Sequence, residues 1–374
     1  MGMQLIGAGL VAFLLTFLGI LATTRYAKKH AIFMPPIRKR DVHKKPVPRV
    51  GGIAIVLSFT IVTLVINYLC PNLFSSFNFP FAIFGISIDK RLLGLLLGGL
   101  VLATAMAIDD FRGLKPWQKF IAQLLVWAIV VGAGIGITHL NNPFGLEFNL
   151  RQYATNIAIG NAVYHFVWIA DLLLFFWLIG MMNAMNFIDG ADGLAAGLGV
   201  IGFVVLGVLS LMPSVNQPAV AMLAFVAAAC VSACLLLNFY PAKVFLGDAG
   251  AMWIGYMLAV LSVISGGKLA TLFLVLAVVI LDGFVVVFFR IKNKQNPFTT
   301  SDQSHIHHRF MKTGMSMPAA VVSIWILSAL FGVLALFTYG KTKWILITIL
   351  SIAIIIFLVL IRRKNEKKEK RVHV

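Results

Sequence analysis

Residues 193–211 read Gly-Leu-Ala-Ala-Gly-Leu-Gly-Val-Ile-Gly-Phe-Val-Val-Leu-Gly-Val-Leu-Ser-Leu, without one charged side chain. Coiled as a helix, such a run crosses the roughly 30 Å hydrocarbon core of a bilayer. Ten further apolar runs give eleven candidate helices: 4–24, 50–70, 91–108, 118–139, 166–188, 193–211, 218–237, 250–266, 269–289, 318–339 and 343–361. The chain of 374 residues is 60% hydrophobic and 12% charged, and its mean hydropathy is +0.95. Soluble domains lie near 45–50% apolar and about 25% charged, so lipid is the main solvent here. The expected fold class is all-α, a polytopic membrane protein with about eleven transmembrane helices. A membrane β-barrel would alternate over segments of about ten residues, and no such segment is visible. Without internal repeats or a soluble segment, the chain reads as one transmembrane domain, 1–361, and a basic tail, 362–374.

The net charge of +18 does not point to nucleic acid, because the basic residues form a few blocks between apolar runs. Lys and Arg near the ends of spans set membrane orientation. With the loop 25–49 placed in the cytoplasm, 25 of the 31 Lys and Arg fall on that side. The N-terminus is then outside and the C-terminus cytoplasmic. The first run has no Lys or Arg before it, unlike a secretory signal, and reads as a retained helix. Cys70, Cys230 and Cys234 form no disulfide framework. Segment 140–165, on the external side, is long and mixed, and both a hairpin and an interfacial helix remain open.

Only 13 Asp and Glu occur, and carboxylates near a membrane are functional candidates. Asp109, Asp110, Asp189, Asp192 and Asp248 all fall at cytoplasmic ends of expected helices; Asp89, Glu147 and Asp171 lie toward the external face. Adjacent carboxylates such as Asp109-Asp110 repel, and a divalent cation removes the conflict; a helix cap is the plain alternative. In Asn183-Ala-Met-Asn186-Phe-Ile-Asp189-Gly-Ala-Asp192-Gly193, polar groups recur every third residue, on one broad helical face. Asn and Asp there suit a nucleobase edge or sugar hydroxyls, whereas a polar helix–helix seam is the structural reading. After Asn238, the turn Phe245-Leu-Gly247-Asp248-Ala-Gly250 opens a helix whose free N–H groups would suit phosphate. Mg²⁺ is held by one or two carboxylates together with substrate phosphates.

The run Ser301-Asp-Gln-Ser-His305-Ile-His307-His308-Arg309 places three histidines in four residues, beside an arginine. A transition-metal site lacks a fourth ligand close by, so contact with substrate phosphates is favoured over zinc and over a merely basic loop. In the basic loop, most of the charge is topogenic and bound to anionic lipid. His43, Lys45 and Arg49 are its candidates for facing an anionic substrate, ahead of Gly51-Gly52.

Together, over residues 1 to about 320, these five segments resemble the polyprenyl-phosphate N-acetylhexosamine-1-phosphate transferase family. It includes the phospho-N-acetylmuramoyl-pentapeptide transferase and the undecaprenyl-phosphate N-acetylglucosamine-1-phosphate transferases that start teichoic-acid and O-antigen chains. The resemblance implies attack of undecaprenyl phosphate on the β-phosphorus of a UDP-N-acetylhexosamine, with release of UMP. It implies Mg²⁺, with Mn²⁺ as a substitute, on Asp248, Asp109 and Asp110. It assigns Asn186, Asp189, Asp192 and Asn238, with Asn183 on the same face, to the uridine and metal end. His305, His307 and His308 would contact diphosphate or sugar. The basic loop and the His run look more like the N-acetylglucosamine branch than the pentapeptide branch. The expected place is the bacterial cytoplasmic membrane, with the site on its cytoplasmic face; a homodimer is left open. A nucleotide-sugar transporter is the rival from another class, but it would carry its acids near the bilayer midplane.

Overall fold

A computed structural model of the protein describes residues 2–29, 47–74, 80–83, 86–137, 139–141, 147–150, 154–159, 162–266, 268–294 and 305–372. His43 and Lys45 lie outside the described residues.

The first helices are α1 (Gly2–Lys29), α2 (Gly51–Leu69) and the single turn α3 (Pro71–Phe74). A hairpin of β1 (Pro80–Ile83) and β2 (Ile86–Asp89) leads into α4 (Lys90–Arg112) and α5 (Pro116–Gly132). Two further antiparallel hairpins follow, β3 (His139–Asn141) with β4 (Glu147–Asn149) and β5 (Ala154–Ile159) with β6 (Ala162–Val167). The open choice at 140–165 is thereby decided for hairpins. Next come α6 (Trp168–Ile188), α7 (Leu194–Leu211), α8 (Pro218–Asn238) and α9 (Gly247–Ile264). The chain continues with α10 (Leu269–Val275), α11 (Ala277–Lys292), α12 (Ile306–Lys312), α13 (Met317–Leu336) and α14 (Gly340–Val372). Among the described residues, nine helices are long and apolar enough to cross a membrane, and α10 with α11 form a further pair bent by 78°. With the shorter α5, these account for all eleven expected runs. The protein is an all-α polytopic membrane protein in its spanning part. The tail continues α14 in helical form to Val372.

The helix α9 is the hub and packs against α2, α4, α6 and α7. Small residues permit this: Gly52 and Gly250 meet backbone to backbone where α2 crosses α9, and a Cβ on Gly255 would strike the Met181–Met182 backbone of α6. Without a hydrophobic force between helices in lipid, such close approach supplies the packing energy. Trp253 and Tyr256 of α9 are fully buried, and the Tyr256 hydroxyl donates to the Leu95 carbonyl of α4 at 2.9 Å. The outermost helices turn apolar faces outward instead, Ile6, Leu10, Leu14 and Leu18 on α1, and Ile345, Ile349, Ile352 and Ile356 on α14.

The hairpins precede α4 and α6, so they sit at the ends opposite Asp109 and Asp189. At the hairpin end, acids cap helices: Asp89 accepts from the Arg91 N–H at 2.7 Å, and Asp171 from the Val167 N–H at 2.8 Å.

Candidate active site

The helix α4 stops at Arg112 because Gly113 takes a positive φ of 72° and its N–H returns to the Asp109 carbonyl at 2.9 Å. That leaves Asp109 and Asp110 on the last turn, where they part company. Asp109 Oδ1 accepts the Leu114 N–H at 2.6 Å, and Oδ2 pairs with Lys119 Nζ of α5. Lys119 Nζ is also 2.7 Å from Asp248 Oδ2, in the first turn of α9. The ammonium thus stands between two neighbouring carboxylates, and the Asn186 side chain lies beside that of Asp248.

Asp110 is 2% exposed and serves a different end. Its Oδ1 accepts the Asp248 N–H at 3.0 Å and its Oδ2 the Ala249 N–H at 3.1 Å. Arg49 approaches Oδ1 at 3.9 Å. Two of the free N–H groups expected at the start of α9, those of Asp248 and Ala249, are therefore already taken by Asp110. Gly247 permits this: its φ is 71°, and a Cβ there would strike the Asp110 carboxylate. Such a φ is costly for any residue with a Cβ.

The start of α2 closes the same corner. Gly51 and Gly52 donate their N–H groups to the carbonyls of Phe245 (3.1 Å) and Leu246 (2.9 Å), and the Phe245 N–H donates to the Pro48 carbonyl at 2.9 Å. Segment 48–52 thus anchors the Gly247-Asp248 turn.

The motif from Asn183 to Gly193 does not stay on one helical face, because α6 ends at Ile188. Asn183 forms a reciprocal amide pair with Gln123 of α5, at 3.1 and 3.4 Å, and its Nδ2 also donates to the Ile179 carbonyl at 2.8 Å. That is the helix-seam arrangement. Asp192 accepts the Ala242 N–H at 2.9 Å. Asn238 accepts the Gly193 N–H at 3.2 Å and donates to the Val244 carbonyl at 3.0 Å. These two tie the turn after α6 to the loop before α9. Asp189, at the end of α6, holds its proton well above the usual carboxylate range, through burial first and then the charges of Asp248 and Asp110.

The His turn closes the other side. His305 Nδ1 lies 2.9 Å from Asp282 Oδ2 of α11, and its ring stacks on Phe187 of α6 with centroids 6.5 Å apart. His307 is buried above Gly190, its Nε2 3.2 Å from where a Cβ would stand, and neither ring nitrogen has a hydrogen-bond partner among the described residues. Burial, then His308 and His305 beside it, hold His307 neutral far below the ordinary histidine range. Arg309 corrects the sequence reading. It is 3% exposed, with Nη1 donating to the Leu358 carbonyl of α14 at 3.1 Å and Nη2 4.0 Å from Asp282. Burial between helix ends turns it from substrate phosphate to bracing.

Lys119 is the site residue that motif reading missed, and Asp282 stood out only as an acid in the cytoplasmic half of its span, with no role assigned. Lys119 and Gln123, one turn apart in a helix that is apolar from there on, were the available signal. Among the described residues, no three His, Cys, Asp or Glu are disposed to hold a metal unaided. Even so, Asp109 and Asp248 already share a cation, the Lys119 ammonium. Two hard oxygen donors fit Mg²⁺ if substrate phosphates complete its shell.

The description "Glycosyl transferase family 4" matches residues 92–266. The chain is 32% identical over 354 residues to a probable undecaprenyl-phosphate N-acetylglucosaminyl 1-phosphate transferase of Bacillus subtilis, covering 92% of this chain and 89% of that one. It is 30% identical over 357 residues to a decaprenyl-phosphate N-acetylglucosaminephosphotransferase of Mycolicibacterium smegmatis, with 88% and 82% covered. A phospho-N-acetylmuramoyl-pentapeptide-transferase of Staphylococcus aureus is 28% identical over 296 residues, with 78% and 85% covered.

Proposed function

The chain belongs to glycosyl transferase family 4, and from that premise we propose that it transfers N-acetylglucosamine 1-phosphate, or a close N-acetylhexosamine 1-phosphate, from a UDP-sugar to undecaprenyl phosphate. The observation that carries this reading is the convergence of Asp109, Lys119 and Asp248 from three helices, beside Asn186, at one end of the bundle.

In the reaction, an oxygen of the lipid phosphate bonds to the β-phosphorus of the donor. The bridging bond between the α- and β-phosphates breaks, and its electron pair leaves with UMP. The nucleophile is already an anion, so the protein's task is alignment and charge neutralisation. Lys119 supplies a fixed positive charge where two phosphorylated substrates must meet. Asp110 fixes the backbone of Asp248, and segment 48–52 fixes the turn before it. Asn186 and Asp189 face the nucleotide, and the His turn faces the donor from the opposite side. Mg²⁺, for which Mn²⁺ substitutes, would be held by Asp248 and Asp109; bound there it supplies further shielding of the diphosphate.

The 25-to-6 split of basic residues supports a site on the cytoplasmic face of a bacterial inner membrane, where the sugar nucleotide is made available and the lipid lies alongside. A transporter would place its acids near the midplane; here they gather at helix ends. The higher identities belong to relatives named for N-acetylglucosamine, which favours that donor over the pentapeptide.

The test offers purified enzyme and undecaprenyl phosphate three donors: UDP-N-acetylglucosamine, UDP-N-acetylgalactosamine and UDP-N-acetylmuramoyl-pentapeptide. UMP should appear chiefly from the first, require the lipid, and stop on chelation. Release chiefly from the pentapeptide donor would move the enzyme to the other branch, and no lipid-dependent release would sink the reaction itself.

A further inference from the structure

Asp282 lies in α11 at 0% exposure, in a segment with no motif of its own. Its Oδ2 accepts the Ile306 N–H at 3.1 Å and meets His305 Nδ1 at 2.9 Å. Arg309 Nη2 stands 4.0 Å from its Oδ1. One carboxylate thus holds the first residues of the His turn while that turn sits over the end of α6.

The donor and acceptor roles follow from the partners. A backbone N–H only donates, so Oδ2 accepts from Ile306. The Arg309 guanidinium, 4.0 Å from Oδ1, suits a carboxylate that accepts at Oδ2 and does not donate from it. The His305 bond therefore runs from Nδ1–H to Oδ2, and the proton of a neutral ring sits on Nδ1. Among the described residues, Nε2 is the ring nitrogen left without a partner. Phe187 covers one side of the ring, and His307 lies parallel to it, at 6.2 Å between centroids and 1° between planes. Phe187 is flanked by Asn186 and is two residues from Asp189, so the held ring belongs to the wall of the site.

We propose that Asp282 is a positioning residue, which fixes the orientation and tautomer of His305 so that Nε2 is offered to the sugar-nucleotide donor. The inference rests on the reading above, in which the His turn faces that donor. Neutral, Nε2 accepts from a donor hydroxyl; protonated, it gives a hydrogen bond to phosphate; in either state it is the atom presented.

A role confined to packing predicts different results. Asp282→Leu removes the acceptor at similar volume, and the KM for the UDP-sugar should rise about 10- to 100-fold, the range for groups that orient a ligating histidine. Asp282→Asn keeps an oxygen acceptor for Ile306 N–H and Nδ1–H and should recover most of that loss. In a His305→Ala background, Asp282→Leu should change KM less than threefold, because its effect runs through the ring. Independently of any variant's folding, ¹⁵N-histidine spectra of the wild-type protein, assigned by His305→Ala, should show His305 protonated at Nδ1. A His305 protonated only at Nε2, or losses that add fully in the double variant, would overturn the proposal. If His305→Ala alone leaves the donor KM unchanged, the donor-facing role of the His turn fails, whereas the Nδ1 signal judges the Asp282 pairing separately.

Discussion

Asp109 and Asp110 are indistinguishable as neighbours in a sequence, yet paired amide substitutions should separate them cleanly. In Asp110→Asn, one of two accepting oxygens becomes an NH₂ group that faces a backbone N–H. The two bonds at stake, at 3.0 and 3.1 Å to Asp248 and Ala249, are hydrogen bonds to a charged group, each contributing about 1.5–3 kcal/mol. Asparagine keeps one of them in weaker, neutral form. It loses the other and sets donor against donor at a site 2% exposed. The expected loss is about 2–4 kcal/mol of stability on those magnitudes. Asp109→Asn can still accept the Leu114 N–H through its carbonyl. It forfeits an ion pair whose partners are 27% and 10% exposed, but Lys119 keeps its pairing with Asp248 and the repulsion between two adjacent carboxylates is relieved, so the net loss is about 1 kcal/mol. Both variants should lose most UMP release, but only Asp110→Asn should melt clearly lower in detergent, followed by intrinsic tryptophan fluorescence. An Asp110→Asn protein with the wild-type midpoint would show that its carboxylate does not hold the start of α9.

Lys119→Met should lower turnover at least 100-fold, and should also tighten binding of Mn²⁺ without substrate, read by electron paramagnetic resonance. Weaker Mn²⁺ binding would mean that the lysine does not compete for the cation place. Acid should loosen the His turn: His307 is held neutral in the fold but takes a proton below about pH 6.5 when unfolded. Stability from this group is therefore full above that pH and falls by up to about 1.4 kcal/mol per unit beneath it. Hydrogen exchange across 306–312, corrected for intrinsic rates, should accelerate from pH 7.5 to 5.5 in wild type and not in His307→Phe; equal behaviour of the two would refute the assignment. Cys70 is partly exposed at the hairpin end while Cys230 and Cys234 are buried, so an impermeant maleimide should label intact cells at Cys70 alone. Labelling that requires lysis would reverse the orientation.

The spans were legible because lipid demands one property, an apolar run of sufficient length, and each run states it locally. The break between α10 and α11 was not. Leu-Val-Leu-Ala-Val at 274–278 holds neither Pro nor Gly, and the carbonyl of Val275 beside the bend is satisfied by the Ser328 hydroxyl of α13 at 2.5 Å. A partner 53 residues away leaves no local mark. The site divides in the same way. Spacing brought out Asp109, Asp110 and Asp248, because carboxylates are rare in this chain. It could not tell which of them cap and which face a ligand, since that depends on where α9 begins relative to α4. Asn183 looked like Asn186 in sequence, and only Gln123 on α5 makes the first a seam. Lys119 was hidden among charges that orientation already explained.

The carboxylate cluster also has an electrostatic logic beyond its motifs. Asp109 and Asp110 stand at the C-terminal end of α4, where the helix dipole disfavours negative charge. The start of α9, whose N-terminal dipole favours it, is brought against them by the backbone contact of Gly52 with Gly250 and by the left-handed Gly247. Asp110 is settled by that helix start, and Asp109 and Asp248 by Lys119. The neutralisation is unequal, however. Two carboxylates share one ammonium, and burial, then the charges of Asp248 and Asp110, favours the protonated form of Asp189 beside them. The corner therefore retains an unfilled demand for positive charge at the place where two anionic substrates are proposed to meet. A cation arriving with the diphosphate would meet that demand and leave Lys119 free for phosphate, so substrate and metal are expected to bind together more tightly than either does alone.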